Sequence, residues 1–287
     1  MTDSSPGLSD TPWPIGGRVA LGVGYHGGAF SGWQAQPHLT VQTVQETLEG
    51  ALSQIANRPV ATVCAGRTDT KVHGVGQVVH FDDPRGRSAK AWVMGTNSQL
   101  PPSVRVHWAA SVPADFHARF SATQRRYRYI IANMPILSPH LVGLVSHARR
   151  PLSADLMAEA ARPLLGEHDF SAFRAAQCQA SHATREIFEL EITRRGQFIL
   201  VDIAANAFLY HMVRNIVGSL MMVGKGLRPV SWLGELLVAG DRTQAADTAA
   251  ADGLYLTRVS YPDGFGLPAP PSAPEFGPGS AISPQVC

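Results

Sequence analysis

Two stretches of this chain combine residue types that can do chemistry. The first runs Cys64-Ala-Gly-Arg-Thr-Asp-Thr-Lys-Val-His-Gly74. Arg67, Thr68, Asp69, Thr70, Lys71 and His73 bring a carboxylate, two cations, two hydroxyls and an imidazole into one short segment bracketed by glycines. A polar loop leaving a buried strand is a common seat for a catalytic group. Asp and Thr also close turns by bonding their own backbone, and from spacing alone this plainer reading is the stronger. Asp69 and His73 are candidate metal ligands as well. Two ligands do not make a site, and no third Cys, His, Asp or Glu stands at a suggestive spacing, so no metal is expected. The second stretch is FLYHMVRNIVGSLMMVG, residues 208–224. Between Asp202 and Lys225, Arg214 is the only formally charged residue. Apolar residues lie nearly all round this expected helix, which should therefore be largely buried. His211, Arg214, Asn215 and Gly218 fall on one narrow polar stripe. A buried guanidinium needs an anion, because an unpaired buried charge costs several kcal/mol. An Asp from elsewhere in the chain is the natural partner; snorkelling to the surface is the alternative.

A third feature is electrostatic. From Phe116 to Ala154 there is no Asp or Glu, yet the stretch holds Arg119, Arg125, Arg126, Arg128, Arg149 and Arg150. Three of these sit in Arg-Arg-Tyr-Arg on an expected strand, interleaved with Tyr127 and Tyr129. Arg forks onto phosphate and an aromatic ring stacks on a base, so this pattern favours nucleic-acid contact over a merely solvated face.

The elements that must position these groups come in a repeated order. Residues 18–25 alternate, with Val19, Leu21, Val23 and Tyr25 on one face, as a strand requires. Thr40 is placed to cap a helix with apolar positions Val41, Val44, Leu48, Leu52 and Ile55. Strands at 60–64 and 75–81, a helix near 88–98 and a strand at 104–112 complete a β-α-β-β-α-β unit. The second half repeats it: a strand at 125–132, a helix at 153–165 between Ser153 and Gly166, a hairpin of 183–194 and 197–206 turning at Arg195-Gly196, helices at 208–224 and 229–250, and a last strand at 254–261. The expected class is α+β, with two side-by-side ferredoxin-like halves, 17–115 and 116–266, forming an extended, mainly antiparallel sheet with helices on one face. Residues 1–16 and the Pro-rich 267–287 read as flexible tails.

Composition bounds the alternatives. The chain has 287 residues, 45% hydrophobic and 16% charged, which excludes a wholly disordered protein. Lys+Arg 24 against Asp+Glu 22 gives +2, so net charge alone points to no partner. Cys64, Cys178 and Cys287 are few, odd and widely spaced, which argues against a disulfide framework and suits a reducing compartment. MTDSSPGLSD lacks the basic and apolar regions of a signal peptide. The longest apolar stretch, 208–223, is too short and too polar to span a bilayer. A cytoplasmic protein with no membrane partner is expected.

Four motifs in order, GRTDTKVHG (66–74), RRYRYII (125–131), NAFLYHMVRNIVGSL (206–220) and DGLYL (252–256), resemble the TruA-type tRNA pseudouridine synthases. The resemblance covers roughly residues 18–266 and implies an isomerase. That family converts uridine to pseudouridine at positions 38–40 of the tRNA anticodon arm. The N1–C1′ bond breaks, the uracil turns while held, and C5 rejoins C1′. All atoms are conserved, so no cofactor is implied, in keeping with the lack of a phosphate loop or dinucleotide fingerprint. The resemblance puts the catalytic aspartate at Asp69, its guanidinium partner at Arg214, the active-site tyrosine at Tyr127 and a base-extruding arginine at Arg67. Arg125, Arg126 and Arg128, read above as nucleic-acid contacts from their pattern, are then expected to meet the tRNA, and the family precedent implies a homodimer in which one tRNA touches both subunits. This chain departs from the family loop Thr-Asp-Ala-Gly-Val-His at Thr70 and Lys71. Gly tolerates φ > 0, whereas Lys there costs roughly 1 kcal/mol or more, and it adds a cation two residues from Asp69. The alternatives are a non-catalytic RNA-binding protein on the same fold, and a metal-dependent hydrolase using Asp69 and His73.

Overall fold

A computed structural model of the chain describes residues 8–36 and 38–274. It is a mixed α and β protein with ten strands, nearly all paired antiparallel, among the described residues. Two compact units divide it. Among the described residues, one comprises the chain from Leu8 to Thr123 together with Leu256–Ser272, and the other comprises Gln124–Tyr255 with Ala273 and Pro274. No helix among the described residues is long and apolar enough to cross a membrane.

The first unit has the expected β-α-β-β-α-β order. β1 (Arg18–Tyr25) lies between β3 (His73–Asp82) and β4 (Val104–Val112), antiparallel to both. The short β2 (Val63–Cys64) pairs with β3. Residues 60–62 do not join the ladder, because helix α1 (Val44–Ala56) takes their polar groups: Val60 N–H donates to Ser53 Oγ, and Thr62 N–H and Oγ1 donate to Glu49 Oε1. The cap of α1 is Thr43 rather than Thr40. Thr43 Oγ1 accepts from Glu46 N–H and donates to the Glu46 carboxylate, the Thr-x-x-Glu spacing of a capping box with the hydroxyl in place of the backbone N–H as the carboxylate's donor. The expected helix at 88–98 is a π-helical turn (Ala91–Gly95) running into α2 (Thr96–Gln99). Val19, Leu21, Val23 and Tyr25 of β1 pack on Val44, Leu48 and Leu52 of α1 and on Trp92, forming one core.

Three segments differ from their expected roles. Residues 8–16, expected as tail, are held on this unit: Leu8 and Trp13 pack against its core, and Gly16 N–H donates to Asp83 O (2.7 Å). Residues 116–123 pack with the first unit because Phe116 is fully buried against His80, Tyr261 and Phe265. Leu267, Pro268, Pro270 and Pro271, also expected as tail, line a small cavity with Gly22, Gly76 and Trp108. The rest of both expected tails lies outside the described residues.

In the second unit β5 (Gln124–Asn133) pairs with β9 (Phe198–Ala205), β9 with β8 (Thr184–Arg195), and β8 with β7 (Gly166–Asp169). The β8–β9 hairpin turns at Gly196 (φ 58°), as expected. β6 (Ser146–Ala148), not expected from sequence, runs parallel to β5. Helix α3 (Ala154–Ala161) is capped by Ser153 and gives way to a 3-10 turn at Pro163, so it is shorter than 153–165. Helix α4 (Met212–Gly224) begins four residues late, because His211 adopts φ 61° and breaks the helical run before it. Helix α5 (Trp232–Ala239) stops at Gly240 (φ 63°), and residues 245–250 are irregular rather than helical. β10 (Leu254–Ser260) closes the element order.

Candidate active site and nucleic-acid interface

The loop between β2 and β3 carries Asp69, and backbone groups on both sides of it are fixed. At its base Ala65 N–H donates to Val78 O, and the fully buried Gln77 donates through Nε2 to Gly66 O (2.6 Å). Thr68, immediately before the carboxylate, is buried. Its Oγ1 is 2.8 Å from Tyr25 Oη, and its carbonyl accepts from Trp33 N–H (2.9 Å). Asp69 O accepts from Val72 N–H (3.1 Å), closing a turn through Thr70 and Lys71. Lys71 stands at φ 68°, the left-handed conformation that its glycine counterpart would occupy without strain. Asp69 itself is half-buried, whereas Arg67, Thr70 and Lys71 are exposed.

Segment 27–33 wraps this loop from outside, and two glycines allow the approach. Gly32 has φ +90°, and a Cβ on it would lie 2.9 Å from Thr68 O. A Cβ on Gly27 would lie 2.1 Å from Val72 O, a position no side chain can take. His73 serves this wrapping: it is buried, its Nδ1 accepts Gly27 N–H (3.1 Å), and its ring lies 4.7 Å from that of His26. With Nδ1 committed to backbone, His73 acts as a brace. No group of three His, Cys, Asp or Glu among the described residues is placed to hold a metal ion. Burial pushes the Cys64 thiol up to about 11 despite the opposing fields of Arg67 and Arg119, so it is no nucleophile at neutral pH.

The second unit places the other sequence candidates. Tyr127 is buried on β5 and meets Phe208 edge to face, with centroids 5.1 Å apart. Arg125 donates to Asn206 O (3.0 Å). Arg126 pairs with Glu189 of β8. Arg128 forks onto Asp202 of β9 at 2.9 and 3.0 Å with both side chains largely buried, and it also donates to Pro274 O. The stretch 116–154 is free of acids in sequence, but the sheet brings acids to it. Arg214 lies in the first turn of α4, half-buried, and its Nε donates to Ala249 O (2.8 Å).

The rest of the polar stripe on α4 is structural. Asn215 donates to Phe173 O (2.8 Å) and accepts from Thr248 Oγ1 (2.7 Å) and Arg242. A Cβ on Gly218 would lie 2.1 Å from Asp247 O, so residues 245–249 lie directly on the helix. His211 stands before the helix and stacks on Tyr210. Sequence reasoning missed Tyr25, Gly27, Gly32 and Gln77. The only signal for them was the run of glycines after β1, whose purpose appears once the loop it faces is known.

A family model described as tRNA pseudouridine synthase matches residues 23–121 and 160–262. A tRNA pseudouridine synthase A of Escherichia fergusonii is 53% identical over 269 residues, covering 94% of this chain and 99% of that protein. The protein of the same name from Enterobacter sp. (strain 638) is 55% identical over 260 residues, covering 90% and 95%. A solved chain from a Cbf5-Nop10-Gar1 complex is 13% identical with a TM-score of 0.35, covering 90% of this chain and 55% of that one.

Proposed function

Because this chain belongs to the tRNA pseudouridine synthase family, its reaction is the isomerisation of uridine to pseudouridine in tRNA, and we propose that Asp69 is the nucleophile and that the targets are positions 38–40 of the anticodon arm. The observation that carries the residue assignment is Asp69 at the head of a turn braced on both sides, by Thr68 to Tyr25 and Trp33 and by Asp69 O to Val72, within the matched stretch. A catalytic group must be held in place by groups that are themselves held, and the backbone that carries this carboxylate is held on both sides.

The chemistry needs a carboxylate in its ionised form. It either attacks C1′ or stabilises positive charge there and later removes the C5 proton, while N1 gains one, so atoms balance without a cofactor. Burial against RNA raises a carboxyl pKa, and a guanidinium opposes that rise; Arg214 is proposed in that role. Tyr127 is proposed to pack on the target uracil and Arg67 to hold it out of the stem, since C1′ and C5 cannot exchange inside a stacked helix. Arg125, Arg126 and Arg128 are proposed RNA contacts. Arg126 and Arg128 already neutralise Glu189 and Asp202, so they contribute orientation more than net positive charge. The proposed working form is a cytoplasmic homodimer.

The test is Asp69→Asn, nearly isosteric but neither nucleophile nor anion. Purified protein is incubated with an unmodified tRNA transcript, without added cofactor, and pseudouridine is mapped along the product. The wild-type chain should modify 38–40. The variant should form none while binding tRNA within a few-fold. Substantial turnover by the variant would overturn the assignment, and product at other positions would overturn the target.

A further inference from the structure

Resting on the reading of this chain as a tRNA-modifying enzyme, we propose that His117, Arg119 and Phe120 form a stacking platform that takes one nucleobase of the RNA beside the Asp69 loop. The observation is a large aromatic ring presented to solvent by a turn with almost no freedom. Phe120 is 76% exposed. Its ring lies on that of His117 with centroids 4.4 Å apart and planes 29° from parallel, and the Arg119 guanidinium sits 5.5 Å from the Phe120 centroid. Single exposed apolar side chains are ordinary, and a floppy loop tip would need no explanation. This turn is not floppy. Phe116 anchors it in the core, Ala118 N–H donates to His80 Nδ1 (3.1 Å), and Tyr261 Oη donates to Ala118 O (2.7 Å). His117 N–H donates to Ser121 Oγ and Ser121 N–H returns to His117 O, both at 2.9 Å. Arg119 and Phe120 N–H both converge on His117 Nδ1, at 3.2 and 3.1 Å. The imidazole under the Phe120 ring is thereby fixed in place, so the ring can accept a flat partner with little further ordering.

The surrounding charge identifies the partner. Val63 of β2 pairs with His80, and His80 Nδ1 accepts Ala118 N–H, so this turn stands beside the short strand that leads into the Asp69 loop. Asp82, on the strand that carries His80, is already paired with Arg18. A flat ring with a guanidinium over it suits a base and its phosphate together: a base stacks on an aromatic ring or on a guanidinium plane, and the cation meets the backbone. Such a platform gives affinity with little sequence preference, and it would steady the strand next to an extruded nucleotide.

The experiment measures tRNA affinity and single-turnover rate for the full chain carrying Phe120→Ala, Phe120→Tyr or Arg119→Gln. Phe120→Ala should weaken binding about ten-fold, the size of one lost base–aromatic stack. Its rate at saturating tRNA should stay near wild type, and Phe120→Tyr should restore affinity. Arg119→Gln should lower the slope of log affinity on log salt by about 0.7 to 0.9. Binding by Phe120→Ala within two-fold of wild type overturns the proposal, as does equal loss in Phe120→Tyr, which would mark a packing role. If sedimentation shows Phe120→Ala dissociating an oligomer, the patch is a protein interface and the proposal falls. Because affinity is read separately from turnover, failure of Asp69 as nucleophile would leave these outcomes intact.

Discussion

Replacing Lys71 with Gly should stabilise this protein. Lys71 holds φ 68° in the turn from Asp69 to Val72, where an L-residue is strained by about 1–2 kcal/mol. Gly removes that strain but loses more chain entropy on folding, by about 0.5–1 kcal/mol. Taken at the midpoints of these ranges, the difference is a net gain of about 0.75 kcal/mol. Packing scarcely alters it, because the Lys71 side chain is exposed, and the backbone bond from Lys71 N–H to Phe30 O survives the change. Equilibrium unfolding in guanidinium should show a raised midpoint with unchanged slope. Lys71→Ala separates backbone from charge: it removes the same cation but keeps a Cβ, so it should not share the gain. A midpoint unchanged or lowered in Lys71→Gly, or raised equally in Lys71→Ala, would refute the argument that the strain resides in the backbone.

Two further outcomes follow from buried polar groups outside the loop. Burial, reinforced by the nearby His117 and Arg18 and opposed by Asp82, holds the His80 imidazole at about 4 against an ordinary 6.5. The unfolded chain therefore binds this proton first. Stability from this group is complete above pH 6.5 and falls as pH drops toward 4, by up to about 3 kcal/mol. His80→Phe should flatten that part of the pH profile of urea midpoints, and equal acid losses in both proteins would sink the assignment. Asp83 is fully buried and accepts N–H bonds from Arg85, Gly86, Arg87 and Trp92 Nε1, all at 2.8–2.9 Å. Asp83→Ala leaves four donors without their acceptor and should cost at least about 3 kcal/mol in denaturant unfolding, with Asp83→Asn between it and wild type. A loss under 1 kcal/mol in Asp83→Ala would mean that the turn re-bonds to water.

What could be read from sequence was what is set locally. The alternation in 18–25, the apolar spacing of Val44, Leu48 and Leu52, and the Arg195-Gly196 turn each specify an element through contacts a few residues apart, and β1, α1 and the β8–β9 hairpin appear as expected. The residues around Asp69 stood out as a candidate because their types are contiguous, although spacing alone favoured a plain turn and only the family resemblance singled out Asp69. Two errors were local, and the others fell where a distant partner decides. Thr43 displaced Thr40 as cap because Glu46 stands three residues after it. The helix expected at 208–224 lost its first turn where His211 takes a positive φ. The arginines of β5 looked unopposed because Glu189 and Asp202 are 63 and 74 residues away along the chain, and only strand pairing brings them alongside. Periodicity and turn chemistry are properties of neighbouring residues, so the chain itself determines them. Which acid meets which base, and which glycine must lack a side chain so that Thr68 and Val72 can sit against it, depends on surfaces that come together only when the sheet is assembled.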